Sequence, residues 1–486
     1  MLLLPAALPA HEVPAGAVLD VRLLTTLASY GSEEGDRVEA VLIAPVRAGS
    51  EVAVHPGAEL HGYVKRARRV GVGVRREAAQ LEIELDELWL PEGKVIPVRT
   101  QLVRVDMARE RVDGKGRIRG TRATNTIMHR IGGYVTRAMS WNPYLGIAPW
   151  ALRFTLLRFP EPEIYYPPGV ELEVRLLEPV RLDRLPAPRP QRRVLTAEEA
   201  ESLSRYVNAQ PFLTRTAKGD KPSDITNVMF VGRREALERA FEAAGWCQAR
   251  PKKMTTRLRT AHAIAENRGY QEAPMSLLTL EGAAPEMTWQ KALNTFAKRH
   301  HIRIWPREAG WRGEPVWVGA ATEDNGIALS RGNKTFIHTI DENIDDERAK
   351  IVNDLQFTGC VDAVRLVERP DVPREARNGT GDRMVTDGRM AVVFLNACLD
   401  PRPPIDGRDD GIVPMRGRTP ERLARRFVLS IRNEVQRANL FYGVYSLSSY
   451  SVRTMLHRRN KETPPPRRVI DADDNVYEVL DAGEGD

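Results

Sequence analysis

The first part of this chain alternates short apolar runs with glycine and proline turns, and this pattern most constrains its fold. Between residues 13 and 105, runs rich in Val, Ile and Leu are separated by Gly and Pro at short spacing. Successive side chains of a strand point to opposite faces, so runs of this kind form sheets with a buried face. The pattern predicts a small β-barrel or sandwich.

A sequence echo links the two ends of this β-rich region. Pro14–Leu23 aligns without gaps on Pro167–Leu176, and the copies share the first Pro, the Gly, both Leu, the Val and the Arg. In each copy a turn containing Pro and Gly begins a strand. We therefore expect residues 167–180 to return as a strand, pair with the strand at 16–25 and close a β-rich domain spanning 11–180.

The segments that follow complete an expected domain plan. Residues 106–160 form an insertion, with a basic, Gly-rich loop before a weakly helical stretch. Residues 181–195 are rich in Pro and Arg, which predicts an extended linker, and a Thr-x-x-Glu capping box at Thr196 then opens a helix. We expect an α/β domain at 196–455 and a polar, disordered tail at 456–486.

The second part of the chain predicts helices and strands in alternation. An apolar strand at 224–230 precedes a helix at 233–244, which ends at Gly245, a residue that suits a helix C-terminus. A further helix is expected at 289–300, followed by the strand-like runs HIRIWP, PVWVGAAT and KTFIHTI. The expected fold class is a multidomain α+β or α/β protein. It joins an N-terminal small β-barrel or sandwich to a C-terminal mixed α/β domain.

Composition sets broad limits on location and partners. The chain has 486 residues, 28% of them charged, and a formal net charge of +7 with acids interleaved among the arginines. Nucleic-acid binding is not expected, because the basic loops lack interleaved aromatic residues. Residues 1–10 (MLLLPAALPA) look like a signal-peptide remnant, and no apolar run is long enough for a transmembrane segment. These features indicate a periplasmic, cell-envelope or secreted protein.

The three cysteines are widely spaced along the chain. Cys247, Cys360 and Cys398 form no CxxC motif. Their spacing argues against a zinc site or a disulfide framework. One disulfide and a set of small buried thiols both remain open.

A series of turn motifs runs along the first part of the chain. They are Ser-x-x-Gly-Asp from Ser32, Pro-Gly-Ala-x-Leu-x-Gly from Pro56 and Leu-Pro-x-Gly-x-x-Ile-Pro-Val from Leu90. Together with the strand Ala40–Val46, these motifs resemble the β-rich domain of TrbI-like conjugation pore proteins. The resemblance implies a fold rather than a function.

A second series of motifs lies in the later part of the chain. They are Pro222-Ser-Asp-x-x-Asn-Val-x-x-Val-Gly, Arg299-His-His-x-Arg-x-Trp, Pro315-Val-Trp-Val-Gly-Ala-Ala-Thr-x-Asp and His338-x-Ile-Asp-x-x-Ile-Asp-x-Glu-Arg. Jointly they resemble the LssY C-terminal-like domain family over residues 220–370. The resemblance implies a bacterial envelope-associated module of unestablished activity, often fused behind membrane phosphatase-like domains. The sequence lacks the Pro-Ser-Gly-His phosphatase motif, so no lipid phosphatase activity is inferred.

Histidines and acids are concentrated in the last of these motifs. If a helix begins near Asp341, then His338 lies just before it, and Asp341 and Asp345 share a helix face. An imidazole and two carboxylates suit a divalent cation or an acid–base pair. The candidate metal ligands are therefore His338, Asp341 and Asp345, and the candidate ligand-binding residues are His300, His301, Asp324, Glu347 and Arg348.

A structural role is the alternative for the same side chains. Thr339-Ile-Asp-Glu is itself a capping box, Asp341 is a second candidate N-cap, and acids favour the first turn of a helix. On a strand, His300 and His301 point to opposite faces, so both cannot reach one metal without a bend.

These patterns favour a non-catalytic, envelope-associated or secreted module that binds a ligand or scaffolds an assembly. Its expected partner is a component of an envelope or secretion assembly. No cofactor is expected unless the cluster around His338 binds a divalent metal. The alternative function is a metal-assisted hydrolase of phosphate or acidic-glycan esters, and the GxSxG and HExxH signatures of other hydrolases are missing from the sequence.

Overall fold

The computed structural model describes most of the chain from residue 11 to residue 402 and a few short pieces beyond. The described residues are 11–49, 51–73, 76–122, 162–186, 192–217, 219–249, 275–291, 298–329, 336–379, 381–402, 412, 420, 424–425, 427–429, 431–433 and 479–480. Outside them lie the expected signal-peptide remnant, most of the expected insertion, the middle of the linker, and the expected tail except residues 479–480. We call residues 11–182 the first half and residues 192–402 the second half.

The described part of the first half consists of strands and their connections. In chain order the strands are β1 (His11–Val13), β2 (Val18–Leu23), β3 (Leu27–Ala28), β4 (Arg37–Leu42), β5 (Val46–Ala48), β6 (Glu51–Val54), β7 (Glu59–Arg68), β8 (Gln80–Trp89), β9 (Val95–Pro97), β10 (Thr100–Val105), β11 (Arg111–Val112), β12 (Ile118–Arg119), β13 (Tyr165–Tyr166), β14 (Glu171–Leu176) and β15 (Val180–Leu182). The main sheet has the order β10-β14-β2-β4-β7-β8-β12-β11, and β9 pairs with β8.

This sheet curves until its two sides meet. The Val98 amide donates to the Asp86 carbonyl at 2.8 Å, and Thr100 Oγ1 donates to the Leu85 carbonyl at 2.6 Å, so β10 lies against β8. The inward side chains of the strands form one hydrophobic cluster. The prediction of a small β-barrel or sandwich is thus confirmed, and the sheet is nearly closed and barrel-like.

The sequence echo predicted a strand pair that the structure contains. Strands β2 and β14 pair antiparallel, with Val18 opposite Arg175 and Arg22 opposite Glu171. Strand β1 pairs with β15, which joins the two ends of the first half. Within the expected insertion, β11 and β12 form a hairpin that extends the sheet at β8, where a loop was expected.

The described part of the second half combines strands with three helices. The helices are α1 (Ala197–Asn208), α2 (Arg234–Ala243) and α3 (Ile344–Phe357). The strands are β16 (Leu213–Thr216), β17 (Pro222–Ile225), β18 (Val228–Val231), β19 (Trp246–Gln248), β20 (Leu278–Thr279), β21 (Met287–Lys291), β22 (Arg299–Trp311), β23 (Glu314–Leu329), β24 (Phe336–Ile340), β25 (Val361–Glu368), β26 (Glu375–Arg377), β27 (Arg383–Val385) and β28 (Arg389–Leu395), and β29 (Val479–Leu480) follows in the expected tail.

A mixed sheet organises the second half. Its order is β19-β21-β22-β23-β18-β28-β25-β29, with β24 paired to β23, and the β18–β28 and β25–β29 pairs are parallel. Helices α2 and α3 pack on one face through side chains such as Phe241 and Leu355, and α1 packs on the other through Leu203. The predicted C-terminal mixed α/β fold is confirmed, whereas the domain boundaries remain a prediction.

The capping box at the start of α1 is confirmed in detail. Thr196 Oγ1 accepts a hydrogen bond from the Glu199 amide at 3.2 Å, and the Glu199 carboxylate accepts one from the Thr196 amide at 2.9 Å. Each bond satisfies an amide that the helix itself leaves without an acceptor. Among the described residues, no helix is both long and apolar enough to cross a membrane.

The helix predicted at 289–300 is wrong at both of its ends, because residues 289–291 and 299–300 lie in strands. Residues 287–291 form β21, which pairs with β19 and β22, and residues 292–297 lie outside the described chain. Trp289 is fully buried in the hydrophobic cluster beneath α2. Helix propensity is a weak local preference, and burial in the sheet outweighs it here.

Two of the cysteines form a disulfide. Cys360 and Cys398 are bonded, with their Cα atoms 4.6 Å apart. They flank β25 and β28, whose antiparallel pairing sets Val361 opposite Leu395 and so brings the two thiols together. Cys247 is half-buried and takes no part in a disulfide. The structure thus selects the single disulfide from the two alternatives that the sequence left open.

A buried ionic interface as the candidate functional site

Strand β22 carries the histidine pair, and its alternation sends neighbouring side chains to opposite faces of the sheet. His300 lies on the face that holds α3, whereas His301 lies on the other face with Arg299 and Arg303. The two rings therefore belong to different sites.

His300 joins the two halves of the protein. Its Nε2 lies 2.8 Å from Oδ2 of Asp106, which directly follows β10, and its Nδ1 lies 2.5 Å from Oε2 of Glu347 on α3. The ring is fully buried. Burial alone would lower the pKa of His300, but the Glu347 and Asp106 carboxylates raise that pKa to about 10. The imidazolium is then charged at neutral pH and donates to one carboxylate from each half.

Arg104 reinforces the same contact from the barrel side. Its Nη2 lies 2.7 Å from Oε1 of Glu173 and 3.1 Å from Oδ1 of Asp106, and its Nη1 lies 3.1 Å from Oε1 of Glu323. Glu323 belongs to β23, so this guanidinium also spans the two halves. Charged groups removed from water need such partners, because an unpaired buried charge costs several kcal/mol, about 3–5 when one member of a pair is lost.

A second set of charges lies beside the first. Nη2 of Arg22 lies 2.9 Å from Oε1 of Glu171 and 3.4 Å from Oδ1 of Asp354 on α3. Nζ of Lys350 lies 2.7 Å from Glu171 and 2.6 Å from Asp354. Nζ of Lys291 lies 3.1 Å from Glu171 and 2.8 Å from Asp354. Three cations thus surround two carboxylates, one from each half.

The electrostatics of this set favour the charged forms of its acids. Burial by itself would raise the pKa of Glu171, but Lys291, Lys350 and Arg22 together hold that pKa well below its usual range. The pKa of Asp354 is lowered in the same way, since the attraction of Lys291 and Lys350 exceeds the effect of burial. Both carboxylates therefore stay ionised inside the interface.

The opposite face of β22 holds a separate polar group. Nη2 of Arg299 lies 2.9 Å from Oδ2 of Asp324, and Thr322 Oγ1 lies 2.9 Å from Nε2 of His301. Nδ1 of His301 lies 3.9 Å from Asp324. Burial lowers the pKa of His301 to about 3, against the opposing effect of Asp324, so this ring is neutral.

The start of α3 differs from the expected one. The helix begins at Ile344 with Asn343 as its N-cap, so neither Asp341 nor Thr339 caps it. The reason is that the chain is still held by the sheet at this point, because the Asp341 amide donates to the Glu323 carbonyl at 2.8 Å. Asp341 Oδ1 instead accepts a hydrogen bond from the Asn343 amide at 3.1 Å. Asp341 and Asp345 therefore do not share a helix face.

Asp345 and Arg348 contact the loop before β28. Asp345 accepts hydrogen bonds from Thr386 Oγ1 at 2.8 Å and from the Asp387 amide at 2.6 Å. Arg348 bonds to Asp345 at 3.1 Å and to Asp387 at 2.7 Å. For His338 only the backbone is described, and it pairs with Ile327. The metal site proposed for His338, Asp341 and Asp345 remains a prediction.

Of the ligand-binding candidates, the structure brings His300 to Glu347 and His301 to Asp324, and it places Arg348 in a separate group. Sequence reasoning missed the other members of the interface, which are Arg22, Arg104, Asp106, Glu171, Glu173, Lys291, Glu323, Lys350 and Asp354. The signal was present but ambiguous. Glu171 and Glu173 alternate with Leu172 and Val174, and such alternation indicates a polar face without showing whether water or another sheet covers it.

These features define a class of protein in which a barrel-like sheet docks by buried ion pairs onto a helix-covered mixed sheet. Residues 203–390 match the family model for the LssY C-terminus, which confirms the resemblance drawn from the motifs of the second half.

Among solved structures, ComB10 of the Com type IV secretion system of Helicobacter pylori is similar at 11% identity, covering 36% of this chain and 93% of that chain with a TM-score of 0.21. The TrbI-like resemblance of the first half rests on its sequence motifs. The chain has no match among curated proteins.

Proposed function

We propose that this chain is a non-catalytic binding or scaffolding module associated with the bacterial cell envelope. The observation that carries the proposal is that charged side chains of the candidate site bond to one another across the two halves. His300 contacts Asp106 and Glu347, and Glu171 contacts Lys350. These charged side chains pair with one another and so hold the two halves together, which a rigid scaffold requires.

Two features support the envelope context. Stable disulfides form in oxidising compartments such as the bacterial periplasm and are rare in the cytosol, which favours an exported chain for the Cys360–Cys398 pair. The match of residues 203–390 to the LssY C-terminus family adds to this, since the resemblance implies an envelope-associated module. The proposed partner is a component of an envelope or secretion assembly.

The location is tested by expressing the full chain in a bacterial host and separating periplasm, membranes and cytoplasm. Thiols are then counted with a mass-tagging maleimide after denaturation without reductant. We expect envelope fractions and a single tag, on Cys247. A cytoplasmic chain with three reactive thiols would contradict the proposal.

Catalysis is tested separately on phosphate esters and acidic-glycan esters in the presence of Mn²⁺ or Zn²⁺. We expect no turnover above that of the Asp345→Asn variant. Turnover that disappears in both Asp345→Asn and His338→Ala would instead establish the metal-assisted hydrolase.

A further inference from the structure

We propose that Asp106, His300 and Glu323 form a binding site for one divalent transition-metal ion at the contact between the two halves. One nitrogen or oxygen from each of these side chains lies within 4.8 Å of the others, and all three residues are buried. Asp106 comes from the first half, and the other two come from neighbouring strands of the second. A bound ion would therefore link the halves directly.

The imidazole of His300 is oriented by a carboxylate, as is usual for histidines that bind metals. Oε2 of Glu347 lies 2.5 Å from Nδ1, which positions the Nδ1 proton against a carboxylate. A histidine that donates one ring N–H to a carboxylate has its tautomer and ring direction set, and its other nitrogen becomes the ligand. Here that nitrogen is Nε2, which faces Oδ2 of Asp106 at 2.8 Å. An ion at this place takes the position of the proton on Nε2.

The carboxylates of Asp106 and Glu323 are also held in place, in this case by Arg104. Arg104 contacts Oδ1 of Asp106 and Oε1 of Glu323, each at 3.1 Å, whereas the His300 contact uses Oδ2 of Asp106. Ligating carboxylates in proteins are commonly held in place by polar contacts of this kind. Ligands at about 2.0–2.1 Å from a tetrahedral ion lie roughly 3.3 Å apart. The three ligand atoms lie within 4.8 Å of one another, so they would draw together around the ion.

The local charge suits a divalent cation. The acids around the site are Asp106, Glu173, Glu323 and Glu347, and the basic side chains beside them are Arg104 and Lys298. With a neutral imidazole, a surplus of negative charge remains in a buried place, and a divalent ion would offset it. One imidazole nitrogen and two carboxylate oxygens suit Zn²⁺ or Mn²⁺ better than Ca²⁺, which prefers oxygen ligands alone.

A crevice reaches one of the three ligands, Asp106. It is lined by Asp106, Glu173 and Asn353, among others. Asn353 is 6% exposed, and within the described part of the chain neither polar atom of its side-chain amide has a hydrogen-bond partner. A buried amide without a partner normally has water or a ligand next to it. Asn353 lies in the same crevice as Asp106, so its amide would hydrogen-bond to a water that completes the coordination of the ion.

The test uses the full chain, stripped with EDTA and dialysed against buffered Zn²⁺ or Mn²⁺. Bound metal is counted by mass spectrometry, and affinity is measured by calorimetry. We expect one ion per chain in the wild type and none in His300→Gln. We expect an affinity weaker by about 10- to 100-fold in Glu347→Gln, which leaves the three ligands in place and replaces the carboxylate at Nδ1 with a neutral amide. Loss of such a carboxylate partner has an effect of about that size.

The matched control is His61→Gln. His61 is also a buried histidine with a carboxylate at Nε2, 2.7 Å from Glu59, but it lies elsewhere in the first half. This variant should bind metal as the wild type does. Circular dichroism reports whether each variant is folded, and if His300→Gln is not, Glu323→Gln and Glu347→Gln replace it. The proposal is overturned if the wild type binds no stoichiometric ion, if folded His300→Gln binds it equally well, or if Asp345→Asn removes it.

Discussion

Arg22 and Glu171 face each other on paired strands of the barrel, 149 residues apart in sequence, and their side chains form an ion pair of 2.9 Å. The same guanidinium reaches Asp354 on α3, in the other half, at 3.4 Å. The strand pair that closes the first half is therefore also the surface on which the second half docks. Both carboxylates and the guanidinium are almost fully buried, so the docking depends on their mutual charge compensation.

Removing one carboxylate from this set should be strongly destabilising. Glu171→Ala leaves Lys291, Lys350 and Arg22 with too little negative charge inside the interface. We expect a loss of about 3–5 kcal/mol in the free energy of unfolding, the usual effect of leaving buried charge unpaired. Urea denaturation followed by tryptophan fluorescence measures it. In contrast, Glu178→Ala breaks an exposed pair with Arg99 and should cost less than about 1 kcal/mol; equal losses in the two variants would refute the buried network.

Stability should decline at acidic pH because of the same residue. The pKa of Glu171 is held well below its usual range, since three cations overcome the effect of burial. A group with a lowered folded-state pKa contributes stability above its unfolded pKa, about 4.3 for glutamate, and that contribution is lost as the pH falls toward the folded-state value. Urea midpoints measured from pH 6 downward should fall below about pH 4.3. In Glu171→Gln the fall of the urea midpoint at acidic pH should be smaller than in the wild type. An equal fall would show that other groups cause it.

The disulfide should contribute measurably to stability. Cys360 and Cys398 close a loop with a sequence separation of 38 residues, which restricts the unfolded chain. Replacing both with Ser should lower the free energy of unfolding by about 2–4 kcal/mol. Denaturation of the double variant and of the wild type with and without reductant checks this. Cys247→Ser is the control and should respond to reductant as the wild type does.

The capping box of α1 gives a local prediction. Thr196→Ala removes the hydroxyl that accepts from the Glu199 amide and should cost about 1 kcal/mol. Thr196→Ser keeps an oxygen at the same place and should be close to neutral. Hydrogen exchange of the first-turn amides of α1 locates the effect, and exchange that is equally fast in both variants would contradict the role of the cap.

Several features could be predicted because they depend on short stretches of sequence. The period-two runs and Pro-Gly turns predicted the strands of the barrel, and the repeated Pro-x-Gly segment predicted the β2–β14 pair. The Thr196 capping box needed only four residues. The first residues of the helix expected at 289–300 form a strand for the opposite reason, since their pairing with two neighbouring strands outweighed the local preference of that segment.

The candidate site could be anticipated only in part. His300 and Glu347 came from the density of histidines and acids, and the structure brings them together. Their partner Asp106 is 194 residues away from His300, in a segment that looked like the start of a loop. The contact between them exists only once both halves are folded, so no local pattern could indicate it.

The sequence by itself determined which segments become strands and helices, how the first half closes, and the family that the second half resembles. Only the tertiary structure decided which polar faces are exposed to water and which are buried against the other half. Lys350 and Asp354 on α3 have the spacing of an ordinary solvated helix pair, yet both are buried because the barrel covers them. The physical reason is that a charged side chain can leave water only where opposite charges meet it, and here those charges come from strands far away in the sequence.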